Sequence, residues 1–127
     1  MASFSKMITK TDTEKRLSVP IKFLECLPPF QGGHAVEFQV KDENAEVWTF
    51  QCSTRKKGRY KKPVLSKGWL AFTRRKKLKV GDRIEFYRAR NQSTDESPCY
   101  GVRVEREIKL LGSRIGYAPL LSAIKPF

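Results

Sequence analysis

The chain has 127 residues, with 26 Lys and Arg against 13 Asp and Glu and a formal net charge of +13. That length suits one domain with enough interior to fold unstapled; three scattered cysteines (Cys26, Cys52, Cys99) and the single His34 make neither a disulfide framework nor a zinc site, so reduced thiols in an intracellular compartment and no metal or cofactor are expected. No apolar run reaches the roughly 18 residues of a membrane span, and Met1–Thr11 has no signal-peptide pattern.

Phe4–Lys10 reads as a strand with weak alternation, and Arg16–Val19 as a second short strand closed by Pro20, with a polar connection over Thr11–Lys15. Pro20 then opens a short helix with Ile21, Phe23, Leu24 and Leu27 on its apolar face, ended by Pro28 and Pro29. Ala35–Lys41 alternates cleanly, Val36, Phe38 and Val40 inward; Asp42–Ala45 turns; Glu46–Gln51 returns with Trp48 and Phe50 inward. These two segments form an antiparallel hairpin held by cross-strand aromatic pairs.

Ser53–Lys62 is a long basic loop closed by Pro63, with Ser66 placed to cap a short helix over Lys67–Lys77 that buries Trp69 and Phe72. Val80–Asp82 turns into the strand Arg83–Arg88, Asn91–Pro98 is a polar loop, and Cys99–Ile108 is the last long strand. Residues 4–108 make the domain, mainly β and barrel-like. Residues 109–127 are a tail with several apolar side chains, either packed back over the barrel or disordered.

The charge is localised. Cys52–Arg90 holds fifteen Lys and Arg against Asp82 and Glu85, while the rest of the chain balances at eleven of each sign. A field that concentrated draws a polyanion, and nucleic acid is the commonest one. An anionic lipid surface fits less well, because the basic loop has no apolar face to insert. In that loop Arg55, Lys56, Lys57, Arg59, Lys61 and Lys62 are six cations in eight residues, broken by Gly58 and Tyr60. Lysine neutralises phosphate as a point charge, whereas arginine can also present two donors to O6 and N7 of guanine. Arg55 and Arg59 are therefore the candidate base readers and the lysines the phosphate contacts. The bland alternative is a solvated charge run read only as a nuclear import address. A second cluster, Arg74–Lys77 with Lys79, serves either the negative end of its helix or further phosphates. Trp48, Phe50, Trp69 and Phe72 have core spacing rather than that of base-stacking platforms.

The order of short motifs carries a resemblance. Ile8-Thr9-Lys10-Thr11-Asp12, Arg16-Leu17-Ser18-Val19-Pro20, Trp48-Thr49-Phe50, Pro63-Val64-Leu65-Ser66-Lys67-Gly68-Trp69 and Leu78-Lys79-Val80-Gly81-Asp82 follow one another as in the plant-specific B3-type DNA-binding domain of transcription factors. The resemblance spans about residues 4 to 108. It implies a seven-stranded open pseudobarrel with two short helices, double-stranded DNA gripped in the major groove, and a nuclear location. It implies two gripping segments: a first arm matching Lys10, Thr11, Asp12, Lys15 and Arg16, and a second arm matching Ser53, Thr54, Arg55, Lys56, Lys57, Arg59, Tyr60, Lys61 and Lys62. The first arm here is shorter than in many members, and the second has neither the Trp nor the Asn residues common there, so the family's target sequences do not transfer. Asp12 is read first as a turn-forming acid bonded to its own backbone, which is compatible with orienting Arg16 or Lys15, and otherwise as an acceptor facing cytosine N4.

Sequence-specific binding of duplex DNA is thus the expected function, with no small-molecule substrate and protein partners left open. Non-specific binding of RNA or DNA is the alternative; RNA recognition usually shows aromatics on an exposed sheet face. A metal-dependent nuclease is the remote one. It rests on the bare tripeptide Glu107-Ile108-Lys109 with Asp95 upstream, two carboxylates with nothing in the sequence to make them converge.

Overall fold

The computed structural model describes residues 3–55, 61–89 and 99–119. Strands β1 (Ser3–Met7), β2 (Leu17–Ser18), β3 (Ala35–Lys41), β4 (Val47–Ser53), β5 (Val64–Leu65), β6 (Arg83–Ala89), β7 (Cys99–Leu110) and β8 (Ser113–Pro119) form one sheet. Its order is β1-β6-β7-β3-β4-β5-β2, with β8 added to the far half of β7. The helices are α1 (Lys10–Glu14), α2 (Trp69–Lys76) and a 3-10 helix over Ile21–Cys26.

Alternation sets the register. In the β3–β4 hairpin Phe38 faces Phe50 and Val40 faces Trp48. In β6–β7 Ile84 faces Val104 and Phe86 faces Val102. A short parallel pairing, Val40 with Tyr100, curls the two halves into one wall around the core. The hairpin turn is fixed by Asp42, whose carboxylate accepts the backbone N–H groups of Asn44 and Glu46 and the Trp48 indole N–H. Inside lie Phe50, Trp69, Phe72 and Phe86, none more than 1% exposed. Their rings meet mostly edge to face, the favoured aromatic geometry. Trp48 lies at the rim of this cluster, edge-on to Phe72.

Three expectations need correction. The first strand ends at Met7 rather than Lys10, and the polar connection after it is a helical turn over Lys10–Glu14. Thr9 and Asp12 form a reciprocal capping box, Thr9 accepting from the Asp12 N–H and Asp12 accepting from the Thr9 N–H, which favours helix over turn. Ser66 is not a cap: α2 starts two residues later, behind Gly68 at φ +86, where a Cβ would lie 2.2 Å from the Thr49 carbonyl oxygen. Only glycine allows α2 to seat that closely on β4. Finally, β7 is not the last strand. Residues 113–119 pair back on it, Leu110 opposite Ser113 and Glu105 opposite Pro119, so that part of the tail is ordered as an edge strand.

Candidate nucleic-acid interface

Both arms leave the same corner of the sheet. β5 bridges β2 and β4, and the register places Ser18, Val64 and Ser53 side by side on the outer face, with Leu17, Leu65 and Cys52 behind them in the core. The first arm enters β2 through α1, Lys15 and Arg16. The second leaves β4 at Ser53 and returns through Lys62 and Pro63 into β5. The Val19 N–H donates to the Pro63 carbonyl at 3.0 Å, tying the exits of the two arms together. Between them lies a groove of about 860 Å³, with Arg16 on one side, Arg55 and Lys62 on the other, and Ser53 and Thr54 at the end of β4.

The base of each arm is pinned. The Thr54 N–H donates to the His34 carbonyl at 2.8 Å, and the Arg55 N–H to the Lys61 carbonyl at 2.8 Å. Lys62 has φ 41, so the chain turns sharply before Pro63. In the first arm the Asp12 side chain, with the residue 1% exposed, accepts from the Lys6 ammonium at 2.9 Å and from the Thr9 N–H. Its carbonyl accepts the buried Trp69 indole N–H at 2.7 Å. The arm is therefore anchored to the core aromatic of α2.

Of the expected interface residues, Lys10, Thr11, Lys15, Arg16, Arg55, Lys61 and Lys62 are exposed and Ser53 and Thr54 half-buried. Asp12 is the correction: its carboxylate is enclosed and already hydrogen-bonded, so it organises the arm and does not face a ligand. Lys56, Lys57, Arg59 and Tyr60 lie outside the described residues. The groove also takes in Ser18, Pro20, Val64 and Ile21, the last expected on the apolar face of its helix but exposed here. The alternation of Leu17 and Ser18 marks an outer face there, but a two-residue strand is too short for periodicity to say what it faces.

Most cations on β6, β7 and β8 are paired: Arg83 with Glu105, Arg103 with Glu85, Arg106 with Asp82, Arg114 with Glu107; Arg88 has no acidic partner among the described residues. Among the described residues, no acid pairs with Lys10, Lys15, Arg16, Arg55, Lys61 or Lys62. The second basic cluster splits. Lys76 is buried and bridges Asp42 at 2.8 Å and Glu43 at 2.9 Å, a structural role and not a phosphate contact. The carbonyl of Lys77, at the end of α2, accepts from Arg106 of β7, which joins Arg74 and Arg75 of the last turn at the negative end of that helix. Burial opposes charge on both Asp42 and Lys76. Their mutual hydrogen bond and its neighbours outweigh it, lowering the Asp42 pKa and raising that of Lys76. Glu107 is engaged by Lys109 and Arg114, and Asp95 lies outside the described residues.

The sequence profile described as B3 DNA binding domain matches residues 4–104. The chain belongs to the B3 DNA-binding domain family. Over 90 residues it is 38% identical to "Auxin response factor 22" of Arabidopsis thaliana, covering 68% of this chain and 15% of that protein. Over another 90-residue alignment it is 36% identical to "B3 domain-containing transcription factor NGA4" of the same plant, covering 67% and 26%. The chain thus spans a minor part of these relatives. The B3 barrel also matches a solved structure, "Arabidopsis FUS3-DNA complex", at 23% identity and a TM-score of 0.65, over 80% of this chain and 93% of that one. This likeness establishes the pseudobarrel fold expected from the motif order. The B3 match ends at 104, so the outer half of β7 and all of β8 lie beyond it.

Proposed function

We propose that this B3 domain binds double-stranded DNA with base-sequence preference, its two arms entering the major groove, as the DNA-binding part of a plant transcription factor acting in the nucleus. One observation carries the reading: six exposed cations without acidic partners among the described residues stand together on two anchored arms at one corner of the barrel. Desolvating an unpaired cation against phosphate forfeits no internal ion pair. The B3 family name and the transcription-factor relatives support the same reading. In this scheme Lys10, Thr11, Lys15 and Arg16 grip from one side and residues 53–62 from the other. The lysines meet phosphates, and Arg55 and Arg59 read bases. The role is one of binding, not catalysis.

Selection from a random duplex library tests this. An enriched consensus, with duplex DNA preferred over RNA of the same sequence, is the expected result. Duplex binding with no enrichment would reduce the function to non-specific nucleic-acid binding. Tighter binding to RNA would overturn it.

A further inference from the structure

The groove between the arms is lined by apolar residues as well as cations: Val19, Pro20 and Ile21 from the chain after β2, and Pro63 and Val64 from the chain entering β5. Ile21 is 57% exposed, with a branched side chain open to solvent at the start of the 3-10 helix. An isolated exposed isoleucine needs no explanation on an ordinary surface. Here it shares a groove with Arg16, Arg55 and Lys62. That charge selects a polyanion as occupant, and the reading above makes it duplex DNA.

A DNA major groove offers a protein phosphates, polar base edges and one apolar group, the C5-methyl of thymine. Phosphate and base-edge donors or acceptors gain nothing from an isoleucine, and losing their water against it is unfavourable. Only the thymine methyl gains from that contact. Resting on the duplex-binding reading, we infer that Ile21, in the apolar lining between the arms, is a specificity-determining residue that reads a thymine methyl in the bound site. Pro20 supports this role. At φ −60 it fixes the chain where the 3-10 helix begins, and the Phe23 N–H donates to its carbonyl at 3.0 Å, so Ile21 sits on a short rigid turn. The cationic arms then hold the duplex while Ile21 tests one position for a methyl.

The probe is the duplex selected from the random library, with each thymine replaced in turn by deoxyuridine. That exchange removes the methyl and leaves every hydrogen-bonding group in place. The wild-type domain is expected to bind about fourfold more weakly at one or two of these positions, the effect of one buried carbon. Ile21→Ala should bind thymine and uracil duplexes there equally, while Ile21→Leu should retain the discrimination. Exposure of Ile21 makes both variants compatible with the fold, and the wild-type comparison needs no variant. Uniform affinity across all uracil duplexes overturns the inference but not duplex binding. So does discrimination that persists unchanged in Ile21→Ala. A wild-type domain that binds no duplex overturns both.

Discussion

If the arms bind because their cations are unpaired, position should matter more than net charge. The replacement of Lys61 and Lys62 by Gln removes two exposed, unpaired charges from the second arm. The replacement of Arg83 and Arg103 by Gln removes two charges that already face Glu105 and Glu85. Both double variants lower the formal charge by two from +13. Each phosphate contact adds about 0.9 to the slope of log affinity against log salt, so the arm variant should lose about 1.8 from that slope. Between about 50 and 200 mM salt, its affinity relative to wild type should change about twelvefold. The β6–β7 variant should keep the wild-type slope. Fluorescence anisotropy titration of a labelled duplex at four or five salt concentrations reads both, with thermal unfolding as a check on the fold. Equal slopes for the two variants would show that binding follows total charge, and the assignment of phosphate contacts to the arm would fail.

Lys76→Met should destabilise the domain by about 3 kcal/mol in urea unfolding, since it strips the cation from a buried carboxylate that keeps its other hydrogen bonds; a loss under 1 kcal/mol would mean the pair contributes little. The pH dependence follows from the same pair. The Asp42 pKa is lowered by folding, so its contribution is present above the unfolded carboxylate value of about 4 and is lost as pH falls through the lower folded value. Melting temperature should therefore drop in acid below about pH 4, and this part of the drop should vanish in Asp42→Asn. Gly68→Ala forces a Cβ to 2.2 Å from the Thr49 carbonyl oxygen at φ +86 and should cost several kcal/mol or prevent folding, unlike Gly116→Ala, whose Cβ meets nothing within 4 Å. The Cys52 thiol, fully buried and pushed up to about 11 by burial, should resist alkylation at pH 8 in the native state and react once unfolded; rapid native labelling of Cys52, identified by mass spectrometry, would contradict its placement.

What the sequence made legible was periodicity, and what it hid was partnership. The hairpin of β3 and β4 follows from seven alternating residues on each side of an Asp turn, because burial of every second side chain is a local pattern. The B3 motif order supplied the barrel. The burial of Asp12 and Lys76 was hidden for one reason. Each is a charged residue in a polar or basic run, and each is buried by partners elsewhere: Asp12 by Lys6 and the core around Trp69, Lys76 by Asp42 and Glu43 more than 30 residues away. The strand β8 was missed because its outer residues lack a buried face to impose alternation. The same hidden variable governs the function. A count of Lys and Arg cannot distinguish Arg103, matched by Glu85, from Arg55, which has no acidic neighbour among the described residues. The useful charge of the domain is the part its own acids leave unspent, and the three-dimensional pairing shows that the two arms concentrate six such cations among the described residues, while Lys22, Lys41, Arg74, Lys77, Lys79 and Arg88 are spread over the rest.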